Sequence, residues 1–230
     1  MPTATRSFSP ALFTFLRELK ANNNRDWFAG NKARYEEVIR EPALDFIAGF
    51  EPLLRRISPH FVADARPVGG SLFRIHRDTR FSKDKTPYKT HTGIQFRHEA
   101  AKDVHAPGYY VHLQPGSVFV AVGVWHPDSD ALARIRGALD ADPAAWRRAS
   151  TAKRFRERFT LEGDSLKRPP AGFAADHPLI DDLKRKDFIA VATLGERDVT
   201  RADFDERLAR DFRVATPLVS FLCGALELPF

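Results

Sequence analysis

Apolar residues recur along this chain with two different periods, and the change from one to the other marks out its organisation. Ser9-Pro10 pairs a capping hydroxyl with a proline at the first helical position, and Leu12, Phe15, Leu16 and Leu19 follow at helical spacing. Asn22-Asn23-Asn24 then predicts a turn, because Asn tolerates left-handed backbone and bonds its own main chain. A second helix is expected to carry Trp27, Phe28, Tyr35, Val38 and Ile39. Pro42 is expected to open a third, whose Phe46, Ile47, Phe50, Leu53, Leu54 and Ile57 form a broad apolar stripe ending before Pro59. Helices of this kind need a sheet to cover.

After Gly69-Gly70 the apolar positions alternate. Four strands are expected: Leu72–His76, Thr92–Arg97, Tyr109–Gln114 and Ser117–Trp125. Phe73, Ile75, Ile94, Phe96, Tyr109, Val111 and Leu113 would then face the helices. The last strand is apolar at both parities, which predicts a central strand or one covered on both sides. Pro127-Asp128 begins a helix through Leu132, Ile135 and Leu139, Trp146 falls on a further short helix or turn, and residues 153–167 mix charge with isolated apolar side chains. Asp187–Leu194 alternates as a fifth strand, and Thr200-Arg201-Ala202-Asp203 resembles a capping box opening a terminal helix pair that reaches Leu226. Helices before and after the strands need the same sheet. The expectation is therefore one α+β domain over residues 1–230, a mainly antiparallel sheet of about five strands covered by N-terminal and C-terminal helices.

Composition narrows the classes. The longest apolar-plus-glycine stretch, Val118–Trp125, falls far short of the roughly 18 to 20 residues that span a membrane, and the N-terminus lacks an apolar signal core. No membrane partner and a cytoplasmic location are the default expectation. Cys223 is the only cysteine, which excludes an intrachain disulfide and multi-thiolate zinc sites, and its apolar neighbours predict a buried packing residue. His98-Glu99 begins like a zinc-protease motif, but Lys102 stands where the second His belongs. Phosphate-cradling P-loop, dinucleotide fingerprint and nucleophile elbow are all missing from the sequence. Neither a metal nor a cofactor is expected, and whether a reaction occurs stays open.

Charge is concentrated in one place. Arg74–His91 holds six Lys or Arg against two Asp, a net +4 of the chain's +6. Such cations beside Ser, Thr and Tyr hydroxyls point to an anion, because guanidinium and ammonium groups supply charge-assisted donors suited to phosphate or carboxylate. The candidate ligand-binding residues are Arg74, Arg77, Arg80, Ser82, Lys83, Lys85, Tyr88, Lys89 and Gln95, joined by Arg25 at the start of the second helix. Alternation places Arg74, His76, Gln95, Arg97, Tyr110, His112 and Gln114 on the sheet face away from the helices, a polar floor over which the basic segment can close. In an enzyme, His112, Tyr110 or Asp78 would transfer protons. Asp78 and Asp84 are the local counter-ions, favoured as pairing partners of the cations over holders of a divalent metal. Pro87 excludes a helix interior, and Phe81 is expected to anchor the loop to the body. Asn24 reads first as a helix cap, and Trp125-His126-Pro127 as a strand exit.

The run Arg74-x-x-Arg77-Asp78-x-Arg80-Phe81-Ser82-Lys83-Asp84-Lys85-x-Pro87-Tyr88-Lys89 resembles the signature of an uncharacterised bacterial family, domain of unknown function 2461. Asn23-Asn24-Arg25-Asp26-Trp27-Phe28, Gly108-Tyr109-Tyr110, Gly123-x-Trp125-x-Pro127 and Asp176-His177-Pro178 extend the likeness over nearly the whole chain. The resemblance implies a single domain and singles out the same segment, but brings no reaction, cofactor or catalytic residue. The leading expectation is an anion-binding domain for a phosphorylated ligand, a nucleotide or a nucleic-acid end. The alternatives are a non-catalytic nucleic-acid module, favoured by a sequence pI near 9.6, and an interaction domain for an acidic protein.

Overall fold

The computed structural model describes residues 8–100 and 106–230, so the N-terminal residues bearing on targeting, and Lys102, lie outside it. Helix α1 (Pro10–Ala21) starts at the predicted proline. Asn24 caps α2 (Arg25–Gly30), its side-chain oxygen accepting the Trp27 N–H at 2.9 Å. The chain then runs through α3 (Lys32–Tyr35) and a π-helical stretch, Glu36–Arg40, directly into α4 (Glu41–Arg55). Pro42 therefore does not separate two helices. It lacks an N–H and its ring would crowd the carbonyl four residues back, and the wider π-turn just before it fits a helix that continues through this point.

Strands β1 (Phe61–Val62), β2 (Thr92–His98), β3 (Gly108–Gln114), β4 (Ser117–Val124), β5 (Thr160–Glu162) and β6 (Phe188–Leu194) form one antiparallel sheet in the order β1-β2-β3-β4-β6-β5. With helices gathered on one face, the fold is α+β. Strands β1 and β5 are too short to show a period, which is why alternation missed them. The expected strand Leu72–His76 makes only isolated bridges, Leu72 to Ile94 and His76 to Tyr88. The reason is competition for one edge: β1 occupies β2 at Arg97 and His98, leaving room only near Gly93–Gln95 before the chain departs. Parity is lost at that departure. Ile75 is buried, as expected, whereas the Phe73 ring lies 5.9 Å from Tyr110 on the opposite face.

Register defines the two faces. Ile94, Val111 and Val120 lie in line and are fully buried, while Gly93, His112 and Phe119 line up on the other side, with Gln95, Tyr110 and Ala121 beside them. Strand β4 is interior in the sheet, yet covered on one face only: Val118, Val120, Val122 and Val124 enter the core and Phe119 and Ala121 stay half-exposed. The core is aromatic, with Phe50 stacked 5.0 Å from Phe96 and Phe212 packed 4.5 Å from Tyr109.

Helices α5 (Ser129–Ala141), α6 (Pro143–Thr151), α7 (Lys153–Arg158), α8 (Ile180–Leu183), α9 (Glu196–Val199), α10 (Phe204–Val214) and α11 (Thr216–Ala225) complete the chain. Trp146 on α6 is fully buried, its indole N–H donating to Asp182 at 2.7 Å. The expected capping box at Thr200 does not form. The Thr200 hydroxyl turns to the Arg197 carbonyl, α10 begins only at Phe204, and it is Asp198 that accepts the Gly195 N–H. Trp125-His126 leaves the sheet over the buried Asp187, whose carboxylate accepts the main-chain N–H of both His126, at 2.7 Å, and Asp164, at 2.9 Å. Cys223 is fully buried and burial pushes its thiol up to about 12, the behaviour of a packing residue. Among the described residues no helix is long and apolar enough to cross a membrane.

Candidate anion-binding site

The basic segment folds as a narrow excursion with a stem and a tip. In the stem the Arg77 N–H donates to the Pro87 carbonyl at 2.9 Å and the Lys89 N–H to the Ile75 carbonyl at 2.8 Å. Tyr88 fixes this stem to the body. Its ring is buried and stacked 4.1 Å from Phe28, and the Asn23 side chain bonds both its carbonyl, at 2.9 Å, and its N–H, at 3.1 Å. The anchor expected at Phe81 is thus supplied by Tyr88, next to the rigid Pro87. Phe81 is 95% exposed at the tip.

At the tip the charges consume one another. Asp78 accepts from Arg80 at 3.0 and 2.7 Å, Asp84 pairs with Arg77, Arg77 also donates to the Thr86 hydroxyl at 2.7 Å, and the Lys85 ammonium donates to the Thr79 carbonyl at 2.9 Å. The Arg80 guanidinium holds Asp78 down to about 2, and the Thr86 N–H, followed by Arg77, does the same for Asp84. Both carboxylates are spent on loop geometry. Among the described residues no group of three or more His, Cys, Asp or Glu is placed to hold a metal ion.

Below the stem a groove of about 600 Å³ opens against the β2 edge, with Phe73, Arg74, Lys89, Gln95 and Arg97 on its wall. Asp64 and Glu99 also line it, but each already has a partner: Arg66 bonds Asp64 at 2.5 Å, and His60 contacts Glu99 at 2.6 Å. Three cations thus stand against two carboxylates on its wall, and the Arg66 guanidinium offsets one of these, so the groove is net cationic. Lys89 is held in place, its ammonium donating to the Arg74 carbonyl at 2.8 Å and lying 5.5 Å from the Phe73 ring centre. Burial, then the charge of Arg74, lowers its pKa. The Arg97 Nε–H donates to Gln95 at 3.1 Å, so these two side chains orient each other.

Beside the groove lies the open sheet face. The Tyr110 hydroxyl is 3.0 Å from His112 Nδ1, and His112 Nε2 is 3.4 Å from the Gln114 side-chain oxygen. That oxygen only accepts, so the imidazole proton sits on Nε2 and Nδ1 takes the Tyr110 O–H. Burial pushes Tyr110 up to about 12 and His112 below its ordinary value. At neutral pH both are uncharged, and moving a proton from Tyr110 to His112 is uphill. The pair is a fixed hydrogen-bonding unit. His91 packs 4.5 Å from His112; burial first, then His112, Lys89 and Arg77, press it down to about 4. Gly93 makes room for this arrangement, since a Cβ there would lie 2.7 Å from the Tyr110 hydroxyl and 3.1 Å from Phe73.

A family model described as a conserved hypothetical protein, domain of unknown function 2461 (DUF2461), matches residues 11–221. The chain belongs to that family. The match takes in α1 from its second residue, the basic segment, the whole sheet and most of α11. Comparison with curated proteins and with solved structures gives no match.

In this DUF2461 chain the candidates separate by position. Arg74, Lys89 and Gln95 share the groove, and Tyr110 and His112 share the floor beside it. Arg77 belongs to the stem, Arg80, Ser82, Lys83 and Lys85 to the tip, and Asp78 is bonded to Arg80 rather than to the floor. Tyr88 faces the core through Phe28. Arg25 is exposed on the first turn of α2, and its neighbour Asn23, not Arg25 itself, makes the bond to the segment. Three side chains were missed. His91 continues the parity of Gly93 and Gln95, and Phe119 that of Ala121 and Gly123, so carrying alternation one residue upstream and across β4 finds both. Phe73 carries no such signal, because its segment is not a continuous strand.

Proposed function

We propose that the groove between Arg74, Lys89, Gln95 and Arg97 binds the phosphate of a phosphorylated ligand. The observation that carries this reading is the convergence of three cations, from either side of the basic segment and from β2, on one groove whose two carboxylates have partners elsewhere. Two guanidiniums and an ammonium match the oxygens of a phosphate group. Lys89 is already immobilised, which lowers the entropy lost on binding. The Tyr110–His112 unit lies one ring beyond Phe73, close enough to the groove to orient a ligand.

Calorimetric titration with pyrophosphate and with a nucleoside diphosphate tests the reading. Replacing both Arg74 and Arg97 by Ala is expected to weaken binding about tenfold or more, the scale of losing charge-assisted hydrogen bonds. Replacing Arg80 and Lys83 by Ala should change it less than about twofold, as for exposed charges. The opposite ranking would move the site to the tip, and unchanged binding in both variants would remove the anion site altogether.

A further inference from the structure

We propose that the ligand of this groove is an unpaired nucleic-acid strand whose bases lie on the open face of the sheet. The proposal rests on the anion reading of the groove and adds what the rest of the ligand must be. A row of rings leads out of the groove: Phe73 to Tyr110 at 5.9 Å, then Tyr110 on β3 to Phe119 on β4 at 6.1 Å. His112 backs this row, stacked on Phe119 at 4.5 Å with the planes 14° apart. The next position in register, Thr193 on β6, is small and exposed. The side of Phe119 away from His112 therefore meets no larger neighbour across the sheet, and Ala121 and Val191 continue the low ground. All three rings of the row are half-exposed.

Half-exposed rings on adjacent antiparallel strands offer flat faces to bases that have left their own stack, and a cationic margin follows the phosphates. The charge distribution here has that form. Arg74, Lys89 and Arg97 lie at one end, while His91 and His112 are uncharged at neutral pH, so the floor is neutral and aromatic. A ligand anionic along one edge and aromatic along the other fits this division. A duplex keeps its base faces covered and presents phosphates and base edges, which the rings cannot stack on. An acidic peptide would match the cations and leave the rings unused.

Fluorescence anisotropy with a labelled twelve-nucleotide oligothymidylate, an abasic strand of the same length, a duplex of the same length and a poly-glutamate peptide tests this on the full chain. The thymidylate strand is expected to bind at least about tenfold more tightly than the abasic strand, and more tightly than the duplex, from stacking of its bases. Phe119→Leu, which keeps an apolar side chain on the sheet, should erase most of that advantage and leave abasic binding as it was. A melting curve of the variant verifies that it is folded, and Tyr110→Leu provides a second reading of the same row. Equal affinity for the two single strands, or full retention of the advantage in both variants, would overturn the base platform. Poly-glutamate binding as tight as the thymidylate would overturn it in favour of an acidic protein. Pyrophosphate binding without strand binding would remove the strand and keep the anion site. If neither binds, the anion reading fails with it.

Discussion

The tip and the stem of the basic segment hold three cations each, and those cations have different fates. Residues 78–86 hold Arg80, Lys83 and Lys85 against Asp78 and Asp84, and their charges are satisfied within the loop or face solvent around the 95% exposed Phe81. The flanking Arg74 and Lys89, with fewer charges per residue, sit where the chain meets the sheet, and there an ammonium is fixed on a carbonyl beside an aromatic ring. Cation density therefore does not locate the groove. Attachment does: a charge becomes available to a ligand when the backbone holds it against a surface and its counter-ions are engaged elsewhere.

Tyr88 is the side chain on which the attachment of the stem depends most. Tyr88→Ala removes the ring stacked on Phe28 and should cost about 3 kcal/mol in urea denaturation, with loss of pyrophosphate binding as Lys89 is released. A stability change below about 1 kcal/mol would mean that the stem is held by something other than this ring.

Acid provides the next test. His91 titrates near 4 in the fold, against 6.5 for the ordinary imidazole, so as pH falls the unfolded chain takes up its proton first. Its contribution to stability is full above about pH 6.5 and is lost progressively toward pH 4, and His112, lowered as well, acts with the same sign. Discounted for partial exposure, His91 should account for about 1 to 2 kcal/mol of that decline. Between pH 6.5 and 4 the unsubstituted chain should lose stability more steeply than His91→Gln, by about this amount. Parallel curves would show that His91 does not close on the floor.

Smaller effects sharpen the contrast between the two regions. The Arg74/Arg97 and Arg80/Lys83 double variants should differ about tenfold in pyrophosphate affinity, near 1.4 kcal/mol, and equal losses would erase the distinction between stem and tip. Phe81→Ser is expected to alter stability by less than about 0.5 kcal/mol, because a ring so exposed contributes little packing. A larger loss would return Phe81 to the role of anchor.

Much of the fold was legible because its longer elements repeat their period often enough to be read. The stripe of α4 and the alternation of β2 and β3 are of this kind, and they placed Gln95, Tyr110 and His112 together on one face. Leu72–His76 has the same alternating appearance, yet forms no strand, because β1 occupies part of the edge it would need. That competition is between segments distant from one another, and it carries Phe73 to the open face. Phe81 was misplaced for a related reason: an aromatic in a polar loop looks like an anchor until the partner of Tyr88, Phe28 on α2, is known.

What the sequence determined by itself was periodicity and local charge: helices first, alternating strands next, and one segment carrying most of the net charge. These follow from side-chain direction along a helix or strand and from counting nearby residues. Which cations remain available was decided only by tertiary structure. An Arg beside an Asp in sequence, such as Arg80 near Asp78, is neutralised by a contact that the local geometry already permits. The engagement of Glu99 by His60, and the meeting of Arg74, Lys89 and Arg97 around one groove, require the sheet to bring separate segments together.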